Sequence, residues 1–291
     1  MDRLQLVRFP ALMALTEGRR EVAVALVDGP VLLQHTDLAN STIREVPAGA
    51  RVTCSAATSE ACSHGTLVAG VLMARRGSQA PAICPGCTLL VRPIFAEVSS
   101  GNGSMPHATP EEVAAAMAEV IAAGANLVNL SAALTRPSAG GERRLEQVLD
   151  SAAQRGVLVV AAAGNQSTVG SSAITRHPWV IPVIACDPDG KPLLQSNLGS
   201  SIGRNGLAAP GFNITSLSAD GGAATFGGTS AAAPFVTGAL ALLWSEFPDA
   251  SAAQLKIALT RSARRTRLSI VPPLLDAWAA YQAMSIPMGR A

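Results

Sequence analysis

The stretch 109–130, TPEEVAAAMAEVIAAGANLVNL, decides the fold class. Its first part is a helix with both ends specified. Thr109 takes the N-cap, Pro110 the first helical position, where a missing N–H is harmless, and Glu112 completes a capping box. Gly124 offers the left-handed residue that closes such a helix. Leu127–Leu130 then reads as a short buried strand. A helix running straight into a buried strand is half of a strand–helix–strand crossover, the connection that parallel strands require.

Outward from this stretch the alternation repeats. Val22–Val27, Leu89–Pro93, Val157–Ala162 and Val180–Ala185 are short apolar runs of the kind buried on both faces in a parallel sheet. His64–Arg75 reads as a helix opening at the histidine. Glu142–Arg155 reads as an amphipathic helix closed by Gly156. Ser230–Phe247 is a long apolar helix, and Ser251 with Gln254 starts another. A last helix covers Leu274–Met284, and Arg204–Ala224 is glycine-rich with short strands. The pattern predicts an α/β fold: a mostly parallel sheet with helices on both faces. No repeat, low-complexity tract or linker divides the 291 residues, which predicts one compact domain.

Composition excludes several functions. Charged residues make up 14% of the chain and the net charge is only +2, with no dominant basic run, so no nucleic-acid partner is expected. No uncharged apolar stretch approaches the length of a membrane span. The leading residues contain an apolar stretch broken by Arg8 and Pro10, unlike a secretory signal. A cytoplasmic location is therefore expected. Aromatic residues are 3%, so Ala, Val, Leu and Ile must build the core. Five cysteines are not a disulfide-framework pattern. Cys54 and Cys62 lie eight apart, Cys84 and Cys87 form CPGC, and Cys186 stands alone. Free thiols and local bridges both remain open, and the spacing is poor for a zinc site.

Three motifs carry chemistry: VALVDGPV around Asp28, SHGTLVAG around His64 and GGTSAAAP around Ser230. A fourth, AAAGNQ, contains Asn165. Singly, each is most often a turn or a helix cap. Together they form a set. In a parallel sheet, sites form beyond the carboxyl ends of the strands. Asp28 and Asn165 follow strands, and His64 and Ser230 open helices whose amino ends point to that edge. Neutral His64 can take the proton of the Ser230 hydroxyl and later deliver it to a leaving amine. Asp28 can fix the tautomer and stabilise the imidazolium. The Asn165 amide and the helix amino end can hold an oxyanion. Gly227 and Gly228 permit a tight approach, and Pro234 is read in the first helical turn.

In this order and context the motifs resemble the subtilisin-like serine peptidases, the subtilases, from about Val22 to Met284. The resemblance implies a subtilisin-like three-layer sandwich. It implies Asp28, His64 and Ser230 as a triad and Asn165 as oxyanion donor. It also implies Ser131, Ala132, Ala133 and Gly164 along the substrate cleft. His35, Asp37 and Leu38 sit where the family has HPDL. Several positions depart from the common pattern: DGPV after the aspartate, Leu67 after HGT, and Ala133 in place of a glycine at the primary pocket. The Ala133 methyl should narrow access for bulky aromatic side chains. Residues 1–20 are expected as an N-terminal extension and 21–291 as the peptidase domain. No inhibitory prodomain of typical length is expected before Val22. Residues 75–82 lack the family's calcium-binding loop, so no metal and no cofactor are expected.

The DGPV variant, CPGCTLLVRPIF and the short start are similar to the cyanobactin maturation proteases, which trim ribosomally made precursor peptides. The expectation is a serine endopeptidase acting on a peptide or protein, with a ribosomally synthesised precursor peptide as substrate and leader removal as outcome. Asp28 and His64 lie too close in sequence to admit the extra helices of macrocyclising members, which favours hydrolysis. Two rivals stand beside it: a transamidating macrocyclase, and a catalytically silent peptide-binding scaffold.

Overall fold

The computed structural model describes residues 2–47, 54, 59–95, 108–131, 139–262 and 269–286, with backbone only at 139 and 140. Two short helices, α1 (Arg3–Leu6) and α2 (Phe9–Leu15), precede the first strand, β1 (Ala23–Asp28). A 3₁₀ turn at Thr36–Leu38 leads to β2 (Thr42–Glu45), α3 (Glu60–Met73) and β3 (Thr88–Pro93). Then follow α4 (Pro110–Ala122), β4 (Leu127–Leu130), α5 (Ala139–Gln154) and β5 (Leu158–Ala162). Next are α6 (Ala173–Arg176), β6 (Val180–Cys186), α7 (Ser200–Asn205) and β7 (Leu207–Pro210). A hairpin of β8 (Ile214–Leu217) and β9 (Ala223–Phe226) precedes α8 (Thr229–Glu246), α9 (Ala252–Ser262) and α10 (Ala277–Ser285).

Seven strands form one sheet in the order β2-β3-β1-β4-β5-β6-β7. Every pairing in it is parallel. Alternate residues of β1 explain the layers. Val24 and Leu26 join a cluster with Val68, Leu72, Phe235 and Leu240. Ala25 and Val27 join another with Val113, Met117, Leu145 and Leu149. Both faces of the strand are thus apolar and both are covered, as parallel sheets require. The α/β sandwich expected from sequence is the one observed.

β1 lies between β3 and β4, at the point where the strand order reverses. Asp28 is its last residue and sits at the crevice that such a reversal opens. The capping box at Thr109 and Glu112 is formed, and Gly124 has φ 89°. The Ser251–Gln254 box is formed too, with the Gln254 side chain accepting from the Ser251 amide at 2.8 Å.

Three helix starts and the place of one proline differ from expectation. α3 starts a turn before His64, because Ser59 caps it by accepting the Cys62 amide. α5 begins at Ala139 and not at Glu142. α10 begins at Ala277, where Asp276 accepts the Ala279 amide. Pro234 is the sixth residue of α8, beyond its first turn, so its missing N–H removes the helical bond to the Ser230 carbonyl.

The N-terminal residues are packed into the same core. Val7, Phe9 and Leu12 are fully buried, and the Phe9 ring lies 6.3 Å from that of Phe235 in α8. Arg8 pairs with Asp276 at 2.8 Å, and the Val7 carbonyl accepts the Ala277 amide. Cys54 and Cys62 form a disulfide, with Cα atoms 5.2 Å apart. Cys84, Cys87 and Cys186 are free and buried. Among the described residues no helix is long and apolar enough to cross a membrane. Truncating Phe9 to Ala should leave a cavity against Phe235 and cost about 3–5 kcal/mol. A urea unfolding midpoint measured on the full chain checks this; an unchanged midpoint would show that the N-terminal helices contribute nothing to the core.

Candidate active site

Asp28 ends the central strand with no exposed surface. Its Oδ1 accepts the Gly29 amide at 2.6 Å and faces His64 Nδ1 at 2.6 Å. Two glycines make that contact attainable. A Cβ at Gly29 would run into the Ala61 carbonyl, and one at Gly65 into the carbonyls of Gly29 and Pro30. With neither present, α3 lies directly on the chain leaving β1. His64, its fifth residue, then reaches the carboxylate from within the helix.

Burial of the His64 ring disfavours the imidazolium. The Asp28 carboxylate, through its charge and its hydrogen bond, outweighs burial and holds the ring protonated to a higher pH than an ordinary imidazole. Because Nδ1 donates to Asp28, Nε2 of the neutral ring is the basic nitrogen. It is buried and has no hydrogen-bond partner among the described residues. The ring of Phe226, four residues before Ser230, stands edge-on to the imidazole, with centroids 6.2 Å apart and planes at 88°.

Ser230 is the second residue of α8 and is 7% exposed. Gly228 occupies the N-cap with φ 96° and has no side chain of its own to cap the helix. The Ala231 and Ala232 amides donate to the Gly228 carbonyl and the Thr229 amide to Asn165, which leaves the Ser230 amide to face an anion. No hydrogen bond joins Ser230 to His64 in this structure. Nucleophile–base contacts of this kind often close only around substrate.

Asn165 reaches the same helix end from the loop after β5. Its Oδ1 accepts the Thr229 amide at 2.9 Å, and the Thr229 hydroxyl accepts the Gly164 amide at 3.1 Å. This double clasp commits the carbonyl side of the carboxamide and leaves Nδ2 as the outward donor. A Cβ on Gly228 would lie 2.9 Å from Asn165 Nδ2. Asn197 supports the loop by accepting the Gln166 and Thr168 amides and donating to the Ala163 carbonyl.

The structure thus joins Asp28 to His64, and Asn165 to the residue beside Ser230. Gly164 is buried with φ 103° and positions Asn165. Ser131 ends the β4 region, is 8% exposed, and its hydroxyl accepts from Asn129 Nδ2. Ala132 and Ala133 lie outside the described residues. Sequence reading missed Thr229, Asn197, Phe226 and the Gly29–Gly65 contact. Only the last left a local mark, a glycine directly after both Asp28 and His64.

The subtilase family model matches residues 19–276. Subtilisin DY of Bacillus licheniformis is 30% identical over 247 residues, covering 83% of this chain and 83% of that one. Several longer subtilisins are spanned over only 64% of their length. Among solved structures, the protease domain of PatA superposes with TM-score 0.81 at 28% identity, over 91% of this chain and 95% of its own. The Prenylagaramide maturation protease PagA superposes with TM-score 0.83 at 26% identity, over 95% and 98%.

The ring geometry makes a titration prediction. Imidazole NMR should place His64 above the ordinary value of about 6.5, and Asp28→Asn should bring it below, because burial then acts alone. A reaction that needs the neutral ring loses rate as pH falls through that raised midpoint. Unchanged titration in Asp28→Asn would remove the carboxylate from this account.

Proposed function

Because this chain belongs to the subtilase family, we propose that it is a serine endopeptidase whose triad is Asp28, His64 and Ser230, with Asn165 as oxyanion donor. One observation carries the reading: Asp28 and His64 are bonded at 2.6 Å, with a buried, unpartnered Nε2 on the rim where Ser230 opens α8. Residues 21–291 form the peptidase domain and residues 1–20 its N-terminal extension. The reading needs no metal or cofactor, since the proton relay is made of side chains alone.

The Ser230 hydroxyl attacks the scissile carbonyl carbon and its proton passes to His64 Nε2. Asp28 stabilises the resulting imidazolium. The tetrahedral oxyanion takes hydrogen bonds from Asn165 Nδ2 and the amide end of α8. Collapse expels the amine with the proton from His64 and leaves an acyl-enzyme. Water, deprotonated by the same ring, resolves it. The substrate lies extended beside Leu127–Ala133 as an added strand, with Ser131, Ala132, Ala133 and Gly164 along its path.

The substrate class is a ribosomally made precursor peptide cleaved in the cytoplasm at its leader. Support comes from the resemblance in fold and sequence to the PatA protease domain and to a protein named for prenylagaramide maturation. Mass spectrometry of a candidate precursor, or of a diverse peptide library, distinguishes the outcomes. Hydrolysis adds one water to the products, whereas transamidation releases a core with no net addition. Ser230→Ala should lower turnover by about 10⁶, and Asn165→Ala by about 10²–10³. Cleavage that persists undiminished in Ser230→Ala would exclude the serine acyl-enzyme.

A further inference from the structure

We propose that His35 is a positioning residue, one that sets the approach to the nucleophile by bridging the element that bears the base to the one that bears the serine. The inference rests on the proposed roles of His64 and Ser230.

His35 is 3% exposed, and both ring nitrogens are engaged. Nδ1 lies 3.1 Å from the Asp37 amide, which can only donate, so Nδ1 is bare. The ring proton is therefore on Nε2, which donates to the Gly222 carbonyl at 3.0 Å. One nitrogen caps a local turn, and the other reaches 187 residues along the chain.

The segment bearing His35 is strapped to α3. The Leu32 amide donates to Thr66 Oγ1 at 2.9 Å, Ser41 Oγ donates to the Met73 carbonyl at 2.7 Å, and the Arg75 amide donates to the Asp37 carbonyl at 2.8 Å. His35 therefore travels with the helix that carries His64. Gly222 belongs to the turn between β8 and β9. Within that turn Asp220 Oδ1 accepts the Gly222 amide at 2.9 Å. β9 then runs four residues to Phe226, whose ring meets His64, and through Gly227 and Gly228 to Ser230.

The hairpin needs such a tie. It is a two-stranded sheet apart from the main one, and the residues of β9 are exposed or only partly buried. Ile214 and Leu217 root β8 in the core, but apolar burial does little for β9, of which only Phe226 packs against that core. On the incoming strand, Ser216 Oγ donates to the Leu67 carbonyl of α3 at 2.6 Å. On the turn from which the outgoing strand starts, the equivalent bond to the α3 side is that of His35. Small displacements at a reacting centre are costly: about 1 Å lowers rate by about 10².

Two substitutions separate the two nitrogens. His35→Asn keeps an acceptor for the Asp37 amide and remains a good cap, but cannot reach Gly222. His35→Gln keeps a donor at the reach of Nε2 and loses the cap. The probe is the second-order rate at which a fluorophosphonate labels Ser230 in the full chain, measured beside the thermal midpoint. The expected result is a near-normal midpoint and about tenfold slower labelling for His35→Asn, with His35→Gln labelled within about twofold of the native rate. The reverse ranking, or native-rate labelling of both variants, overturns the bridge. So does a His35→Asn chain that fails to fold, since the weight would then lie on the packed ring. A native chain that is folded yet never labelled overturns the serine-nucleophile reading itself, and is thereby told apart from failure of the bridge alone.

Discussion

The structure depends on how closely α3 can lie against the end of β1. Asp28 ends a strand buried on both faces, so its carboxylate leaves water and must find partners or take up a proton. The partners are the Gly29 amide and His64 Nδ1. They meet only because Gly29 and Gly65 remove the two side chains that would separate the backbones. A carboxylate in this position polarises the ring, and the ring in turn shields the carboxylate. Neither group is well placed without the other. Replacing one partner alone would strand a buried polar group, which costs more than the pair contributes when intact.

The second half of the site is built from different materials. α8 is apolar all round and buried along nearly its full length, so its direction is set by the core. Its first turn is set by polar ties. The Thr229 clasp joins it to the loop after β5, from one side of the crevice. The β8–β9 hairpin brings the chain in from the α3 side. Ser230 lies where these two independent constraints intersect. The missing N–H of Pro234 loosens the helix at the Ser230 carbonyl, so the first turn is held more by its neighbours than by its own ladder.

Much of the fold was legible in the sequence because its signals are local. Apolar runs of strand length, capping boxes at Thr109 and Ser251, and closing glycines at 124 and 156 act within a few residues, and the structure contains them all. The misread boundaries are local as well, but ambiguous. His64 reads from the sequence as a helix opener. Ser59, five residues earlier, is the better cap. The apolar stretch at the N-terminus offered no period long enough to show which surface it covers. That surface is supplied by Phe235 and α10, more than two hundred residues away.

The site divides along the same line. The four residues proposed for the chemistry were visible because each sits in a short motif. Their supports were not. Asn197, Thr229 and His35 act through hydrogen bonds to residues 29 to 187 positions distant, and no periodicity encodes such a bond. A hydroxyl, amide or imidazole can serve equally as a surface group, a cap or a clasp, and only its partner decides which. His35 shows both uses at once: its cap to Asp37 is local, and its donation to Gly222 exists only once two remote segments have folded against each other. The chemistry of such a site is written in its motifs, whereas its precision is a property of the assembled chain.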